Sequence, residues 1–456
     1  MAQAPPPTVP MRRVLKRWWP LAASWMLMAV ELPSVSAIIA RLADPDINLA
    51  AYGGVVFPLS LIIESPIIML LAASTALSKD WASYLKMRRF MMWAGAILTT
   101  LHLIIAVTPL YYVVVEGIMG APAAIVEPAR MGLLIMTPWT WSIAFRRFHQ
   151  GVLIRYDQSP VVTQGTLCRL LALGGVLALG YAVGTWPGIV VGPSAVAAGV
   201  LAEAAFIGWR VRPVLSGRLY PEPPMETPLS YREFARFYVP LSLTSLLNLM
   251  VNPLGSAMIA RMPDALMSLA VWPVIQGLMF LLRSLGFAYQ EVVVALLDEA
   301  GSAFTLRRFT IGLSAILTIV MALIAATPLS TLWFDTISGL RPELAALGRS
   351  ALWVGLLMPA ISVWQNALQG LIVHSRRTRG VTEAVAIFLI SAGAVLGLGV
   401  AQGTVTGIYF GVGAFVVGGL VQVGWLLWRG RVAWQVVTAR DAGRSTDAAR
   451  VASEGD

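Results

Sequence analysis

The chain has 456 residues, of which 57% are hydrophobic and only 12% are charged, and its mean hydropathy is +0.74. This composition excludes an ordinary soluble globular protein and indicates a protein whose natural solvent is a lipid bilayer. The single cysteine, Cys168, excludes an internal disulfide framework and a thiol-rich metal site. The formal net charge of +10 would suit a nucleic-acid partner, unless the basic residues are distributed according to membrane topology.

Apolar runs long enough to cross the hydrocarbon core as helices recur along the whole chain. The pattern predicts twelve spans, at about 18–40, 49–77, 89–109, 129–150, 161–182, 188–210, 235–260, 266–297, 308–327, 345–373, 381–402 and 404–428.

The basic residues concentrate on one predicted side of the membrane. If Arg12 and Arg17 are cytoplasmic, most of the other loop lysines and arginines share that side, and Arg146 and Arg147 are counted among them. The opposite side receives only Arg41, Arg130, Arg261, Arg341 and Arg349. This asymmetry predicts a multi-pass protein of the cell (inner or plasma) membrane with both termini in the cytoplasm. The basic charge then indicates contact with anionic membrane lipid and no nucleic-acid partner.

The sequence contains an internal repeat with an offset of about 220 positions. Ala37-Ile38-Ile39-Ala40-Arg41 matches Ala257-Met258-Ile259-Ala260-Arg261, and Gln150-Gly151 matches Gln369-Gly370. Pro33 falls on Pro253, and because both prolines lie inside predicted spans, we predict a helix kink at each. Because each copy has an even number of spans, both insert with the same orientation. The predicted fold class is an all-α membrane protein of two parallel six-helix repeats related by a pseudo-twofold axis along the membrane normal.

The repeat also divides the chain. We predict a cytoplasmic N-tail (1–17), an N-terminal six-helix bundle (18–210), a proline-rich cytoplasmic linker (211–234), a C-terminal six-helix bundle (235–428) and a disordered cytoplasmic C-tail (429–456).

Three ionisable residues lie near the middle of predicted spans, where a charge is expensive and therefore a functional candidate. Glu31 and Glu64 are candidates for coupling to a proton or cation, or else they are structural partners of a neighbouring helix. Arg283 is a candidate contact for an anionic substrate, because its planar fork matches carboxylate and phosphate. The alternative for Arg283 is a salt bridge to Glu31 or Glu64.

Weaker candidates follow from single polar residues inside spans. His102 suits a proton relay, although a lone histidine more often packs with one satisfied hydrogen bond. Amides that either line a substrate cavity or hydrogen-bond between helices are Asn248, Asn252, Gln365, Asn366 and Gln369. Arg169 and Glu203 lie nearer the cytoplasmic ends of their spans, which favours snorkelling toward the head groups.

No conventional catalytic motif is found, so we predict that the chain is not an enzyme and needs no cofactor beyond a coupling H⁺ or Na⁺. The alternative from the enzyme class is an intramembrane transferase that uses Glu31, Glu64 and His102.

Two six-span halves of parallel orientation resemble the multidrug/oligosaccharidyl-lipid/polysaccharide exporter superfamily, which includes the MATE antiporters. Shorter motifs resemble the progressive ankylosis protein family within it, over roughly residues 15–430. These motifs are Glu31 with Ala37-Ile38-Ile39-Ala40, Leu49-Ala50-Ala51-Tyr52-Gly53, Pro253 with Ile259-Ala260-Arg261, and Trp272-Pro273. The resemblance implies a MATE-like fold and export of small polyanions such as citrate, pyrophosphate or nucleotides.

The expected function is therefore a monomeric secondary transporter that exports a small organic or phosphate-containing anion by alternating access. A lipid-linked saccharide flippase and a MATE-type drug or cation antiporter are the alternatives within transport.

Overall fold

A computed structural model describes residues 9–299, 301–375 and 379–441. Within these ranges the helices are α1 Met11–Ala29, α2 Glu31–Ile39, α3 Pro45–Ala51, α4 Phe57–Ile68, α5 Leu70–Leu77, α6 Trp81–Val107, α7 Leu110–Tyr112, α8 Ala123–Arg155, α9 Ser159–Val183, α10 Gly188–Val214, α11 Tyr231–Leu249, α12 Val251–Ile259, α13 Ala265–Leu296, α14 Ser302–Ala326, α15 Leu329–Thr331, α16 Pro342–Val354, α17 Met358–His374, α18 Arg379–Gln402 and α19 Gly407–Asp441. Wider π-helical turns occur at Tyr52–Val56, Val113–Ile118, Leu215–Leu219 and Leu332–Ile337. The N-terminal half comprises α1–α10, and the C-terminal half comprises α11–α19.

The described residues contain ten helices long and apolar enough to cross a membrane, and eleven if α16 and α17, bent by 46°, count as one span. The remaining predicted span, 129–150, lies inside α8. This 33-residue helix carries five charged side chains, Glu127, Arg130, Arg146, Arg147 and Arg155, which make it less apolar than the other spans.

The first span of each half is broken at matched positions. α1 ends at Ala29 and α2 begins at Glu31, while α11 ends at Leu249 and α12 begins at Val251. Pro33 and Pro253 each follow their break by three residues. A proline has no N–H to donate, and its ring clashes with the carbonyl four residues earlier, so the helix bends at that turn. The kinks predicted at these matched prolines are confirmed.

The segment before each break packs against the opposite half. Trp18 of α1 donates its indole N–H to the Leu285 carbonyl at 2.9 Å, and its ring meets Phe309 edge-on at 5.5 Å. In α11, the Tyr238 hydroxyl donates to the Pro66 carbonyl, and Phe234 packs edge-on against Phe90 at 4.8 Å. The two halves therefore exchange their first helices.

The segment after each break stays with its own half. Ile39 of α2 lies against Gly188 and Gly192, where an added Cβ would approach the isoleucine side chain to within 2.8 and 2.6 Å. Ile259 of α12 lies against Gly407 and Gly411 in the matching way, at 3.2 and 2.6 Å. Because glycine has no Cβ, the helix backbones approach closely at these points.

A pair of arginines joins the halves at one end of the molecule. The Arg41 guanidinium donates to the Thr336 carbonyl, and the Arg261 guanidinium donates to the carbonyls of Gly117, Ile118 and Met119. The π-helical turns leave these carbonyls free to accept. We call this pair of matched contacts the arginine clamp.

Glycines make room for the arginine clamp. Gly120 and Gly339 both have φ of +68°, and a Cβ at either one would come within about 3 Å of the Arg261 or Arg41 guanidinium. Arg341 adds an ion pair to Asp46 across the same end. This end of the molecule is therefore closed by charged contacts between the halves.

Both predicted tails are partly helical, so their predicted boundaries are corrected. Residues 11–17 belong to α1, because Val14 is buried against the C-terminal half and Arg13 pairs with Glu299 at 2.8 Å. Residues 429–441 extend α19, since Arg440 donates to the carbonyl of Leu297 at 2.6 Å. Tail residues 1–8 and 442–456 lie outside the described ranges.

The arginine clamp predicts that Arg41→Ala together with Arg261→Ala lets this end open, because the contacts between the halves are lost. In a Cys168→Ser background, spin labels at Gly117→Cys and Thr336→Cys mark the two matched, exposed turns. In the double variant, we expect pulsed electron paramagnetic resonance to show a new population with a longer distance between the two spin labels.

Arg349→Ala is the matched control, because its 2.9 Å ion pair to Asp335 stays within one half. An unchanged distance distribution in the double variant would show that the clamp does not hold this end closed.

Candidate functional site

Three charged residues of the N-terminal half lie at one depth in the bundle. Arg146 is nine residues before the end of α8, Arg169 is ten residues after the start of α9, and Glu203 is eleven residues before the end of α10. At 1.5 Å per residue, each lies roughly 14–17 Å from that end. The up-and-down course of the three helices therefore brings these charges into one layer.

Glu203 is the centre of this layer. Its side chain is fully buried, and it accepts from the Arg146 Nη1 at 2.6 Å and from the Gln150 Nε2 at 2.9 Å. The Arg169 Nε lies 3.7 Å from the same carboxylate, and Arg169 also pairs with Glu31 at 2.6 Å. The charge of Glu203 is compensated from two helices, as a charge inside an apolar bundle requires.

Close helix packing makes these contacts possible. A Cβ on Gly165 of α9 would lie 3.4 Å from the Glu203 side chain, and a Cβ on Gly199 of α10 would lie 3.0 Å from the Arg169 carbonyl. Two glycines thus let α9 and α10 approach until their charged side chains pair.

Two further charges of this half have no ion-pair partner within 4.0 Å in the described residues. Glu64 of α4 is only 3% exposed, and its Oε2 has no hydrogen-bond partner there. Arg147 of α8 is half-buried, and its Nε is likewise unpartnered. α4 packs against α8, the helix that carries Arg146 and Arg147, so Glu64 lies beside the layer.

We call the set Glu31, Glu64, Arg146, Arg147, Gln150, Arg169 and Glu203 the charged cluster. The sequence predicted Glu31 and Glu64 as ionisable residues inside the membrane, and the structure brings them into this one cluster. Their functional roles stay predictions.

The interpretation of Arg169 and Glu203 as snorkelling side chains was wrong. Both turn inward and pair, because the opposite charge lies on the neighbouring helix. Arg146 had been counted with the basic residues of a cytoplasmic loop. α8 in fact continues to Arg155, which places Arg146 inside the bundle. A comparison of how far each of the three residues lies from its helix end would have placed them at one depth in the bundle.

His102 lies outside the charged cluster and is completely satisfied. Its Nε2 is 2.9 Å from the Leu133 carbonyl, and its Nδ1 is 3.0 Å from the Thr140 hydroxyl. A carbonyl can only accept, so the Nε2 carries the proton and the Nδ1 accepts from the threonine. This geometry supports the packed, structural alternative over the proton relay.

The C-terminal half carries a neutral copy of the central ion pair. An offset of about 219 positions places Arg146 on Gln365 and Glu203 on Gln422. The Gln365 Nε2 donates to the Gln422 Oε1 at 2.6 Å, the same separation as the Arg146–Glu203 pair. The scaffold repeats, but the charge appears in one half only.

Other predicted amides occupy the same matched positions. Asn366 corresponds to Arg147, and its Nδ2 donates to the Ser362 carbonyl one turn earlier at 2.7 Å. Gln369 corresponds to Gln150 and is half-buried. The sequence-predicted polar group of α17 is therefore the neutral counterpart of the charged cluster.

Arg283 is the one charged residue in the lining of a small cavity of the C-terminal half, beside Gln365 and Phe388. The volume of ≈ 10 Å³ corresponds to about one water molecule. The guanidinium lies 5.6 Å from the Phe287 ring and forms no ion pair within the described residues. The alternative of a salt bridge from Arg283 to Glu31 or Glu64 is therefore wrong.

Asn248 forms a hydrogen bond within its own helix, whereas Asn252 forms one between α12 and α13. The Asn248 Nδ2 donates to the Thr244 carbonyl of its own helix at 3.0 Å, and the Asn252 Oδ1 accepts from the Gln276 Nε2 at 3.3 Å. Neither asparagine lines the cavity at Arg283.

A larger cavity of ≈ 520 Å³ opens between α1 and α9. Leu27 lines its α1 side, one helical turn before Glu31, and Thr163, Gln164 and Leu167 line its α9 side. This volume falls within the range of small-molecule sites. It exists because α1 packs on the opposite half and leaves the face of α9 uncovered.

No protein-family profile and no curated protein sequence matches the chain. Solved structures do match. An inward-facing multidrug resistance MATE family transporter of the MOP superfamily has a TM-score of 0.64 at 15% identity, with 92% of this chain and 96% of that chain covered.

Two further structures extend the likeness. A MOP superfamily transporter from Pyrococcus furiosus, described as having a binding pocket of reverse polarity that suggests a different function, has a TM-score of 0.63 at 14% identity over 95% and 99% of the two chains. A Vibrio cholerae MATE transporter in a bent form has a TM-score of 0.57 at 13% identity over 94% and 98%.

The likeness establishes the fold. The protein has the all-α, multi-pass architecture of MATE transporters, as the sequence predicted. The more specific resemblance to the progressive ankylosis family and the orientation of the termini stay predictions.

The charged cluster predicts that replacing both partners of the Arg146–Glu203 ion pair destabilises the protein less than replacing Glu203 alone. Glu203→Gln leaves Arg146 buried beside a neutral partner and should lower the free energy of unfolding by roughly 3–5 kcal/mol. Adding Arg146→Gln copies the neutral Gln365–Gln422 pair and should restore most of the loss. Melting temperatures of the purified variants in detergent measure both effects.

The matched control is Glu383→Gln, which removes a more exposed 3.0 Å ion pair to Arg429 and should change stability by at most about 1 kcal/mol. A double variant less stable than Glu203→Gln would contradict the neutral-copy interpretation.

Proposed function

We propose that the protein is a secondary transporter that works by alternating access between its two halves. The observation that carries this proposal is the charged cluster, which lies in one half of a pseudo-symmetric, MATE-like scaffold. Buried charge destabilises a membrane protein unless it serves a site. Several structural neighbours are transporters described in inward-facing or outward-facing conformations, and they support a moving scaffold.

The exchange of first helices suits such a motion. α1 is attached to the C-terminal half and α2 to the N-terminal half, with the break at Val30 between them. α11 and α12 repeat this arrangement at Met250. When the two halves rotate against each other, the first span of each half bends at its break. The arginine clamp, which joins the halves at one end of the molecule, opens and closes during this motion.

We further propose that the substrate is a small anion with carboxylate or phosphate groups, in keeping with the resemblance to the progressive ankylosis family. Arg147 and Arg283 support this class, because each is a partly buried guanidinium without a carboxylate partner among the described residues. A substrate oxyanion would provide the missing bidentate acceptor. The neighbour with a binding pocket of reverse polarity is consistent with a departure from cationic drugs.

Glu31 and Glu64 are the proposed coupling residues. Glu31 pairs with Arg169 across the gap between α2 and α9, and Glu64 has no such partner. A proton or Na⁺ that binds at either carboxylate changes the charge balance of the layer. The coupling ion therefore binds within the charged cluster of the N-terminal half.

A second candidate is a multidrug antiporter that exports organic cations. One observation favours it: the buried, unpartnered Glu64 carboxylate is also a counter-ion for a cation. Two structural neighbours are described as multidrug resistance transporters, so the transport experiment includes an organic cation.

Transport by purified protein in liposomes tests the proposal. We expect saturable uptake of radiolabelled citrate or pyrophosphate that responds to an imposed proton gradient. Arg283→Ala should reduce uptake at least about tenfold, the loss expected for one charged hydrogen bond, and Glu31→Gln should weaken the response to the gradient.

Arg349→Ala is the control for loss of an arginine outside the proposed site. Uptake of a fluorescent organic cation without uptake of either anion would assign the protein to the multidrug class. Failure to transport any of these compounds by folded protein would contradict the proposal.

A further inference from the structure

Within the described residues, one carboxylate and one guanidinium of the charged cluster form no ion pair. Arg146 and Arg169 are held by Glu203 and Glu31, at 2.6 Å each. The charges that remain are the Glu64 carboxylate and the Arg147 guanidinium, neither of which has an ion-pair partner within the described ranges. Their helices, α4 and α8, pack directly against each other.

We propose that Glu64 and Arg147 form one site that takes up an oxyanion and a proton together. The anion, a carboxylate or phosphate group, binds the Arg147 guanidinium, and the proton converts the Glu64 carboxylate to a carboxylic acid. The proton comes from the water on the side to which the site is open. This inference rests on the proposed transport of anions and adds the coupling rule.

Charge balance is the physical reason. The three glutamates and three arginines of the cluster sum to zero when all are ionised. An added anion at Arg147 brings uncompensated negative charge into a medium of low dielectric, which is costly. Neutralising Glu64 removes one unit of that charge. Protonation therefore favours anion binding, and by linkage anion binding favours protonation to the same degree.

The surroundings of Glu64 make it the group that changes its charge. α8 contributes Arg146 and Arg147, α9 contributes Arg169, and α2 contributes Glu31. Glu31 and Glu203 each already hold an arginine at 2.6 Å, so a proton on either one would break an ion pair.

The other elements packed on α4 are α6, α11, α12 and the adjacent π-helical turn, and none of their described residues forms an ion pair with Glu64. The cations of α6 are Lys86, Arg88 and Arg89, and Lys86 donates to the Leu229 carbonyl. α11 contributes the Tyr238 hydroxyl, which donates to the Pro66 carbonyl, and the adjacent π-helical turn contributes Tyr52. Glu64 is thus the carboxylate that can be protonated without breaking an ion pair.

The repeat limits this coupling to one half. Glu64 matches Ser284 and Arg147 matches Asn366, so the C-terminal half has neither the acid nor the arginine at these places. Arg283, one residue from the Ser284 position, supplies a cation there without a titratable partner. The inference therefore predicts about one proton per anion.

Proton counting on the full-length protein in lipid nanodiscs tests the inference. Citrate binding is measured by calorimetry in two buffers with different heats of ionisation, at a pH where free citrate is fully ionised. We expect wild-type protein to take up close to one proton per citrate bound. Glu64→Gln should still bind citrate, with proton uptake lower by about one and with a flatter pH dependence.

Arg147→Gln should weaken citrate binding roughly 10- to 100-fold, as expected for loss of a charged hydrogen bond. Ser284→Ala is the matched control for Glu64, and Arg210→Gln, an arginine of the same half that stacks on Trp209, is the control for Arg147. Neither control should change the proton count. Pyrophosphate is the second probe and separates phosphate recognition from carboxylate recognition.

If citrate or pyrophosphate binds and Glu64→Gln takes up as many protons as the wild type, the inference is wrong while anion transport stands. The same holds if Arg147→Gln binds with unchanged affinity. If folded wild-type protein binds neither anion, both the inference and the proposed substrate class are overturned.

Discussion

A charge inside an apolar bundle must find its counter-charge within that bundle, and the Arg146–Glu203 pair is where this protein meets the requirement. The pair forms because α8, α9 and α10 approach closely, with Gly165 and Gly199 making room. Arg169 then links the pair to Glu31 on the broken first span. Once these charges are matched, Glu64 and Arg147 are the ones left available to respond to a ligand.

The scaffold is symmetric and its chemistry is not. Matched prolines break the first span of each half, and matched glycines seat the guanidiniums of the arginine clamp. Gln365 and Gln422 meet at the same distance as their charged counterparts. In the proposed transport cycle this pattern separates two roles: the repeated features would let two similar bodies move against each other, and the unrepeated charges would give one body its site.

Depth along a span was enough to find Glu31, Glu64 and Arg283 from the sequence, because a mid-span charge stands out among apolar residues. It was not enough for Arg169 and Glu203. Residues two turns from a membrane surface can either reach water or pair inward, and the choice depends on which charge the neighbouring helix presents. The internal repeat held the missing signal, since Gln365 and Gln422 mark the same two positions as a contacting pair.

The sequence by itself determined the membrane class, the two-copy architecture and the breaks before Pro33 and Pro253, because hydrophobic runs, repeats and proline act locally along the chain. Only the tertiary structure decided that α1 and α11 pack on opposite halves and that Arg169 joins Glu31 to Glu203. These outcomes depend on distances between helices that are far apart in sequence. An ion pair requires its two charges within about 4 Å of each other, so the packing of the helices decides which charges meet.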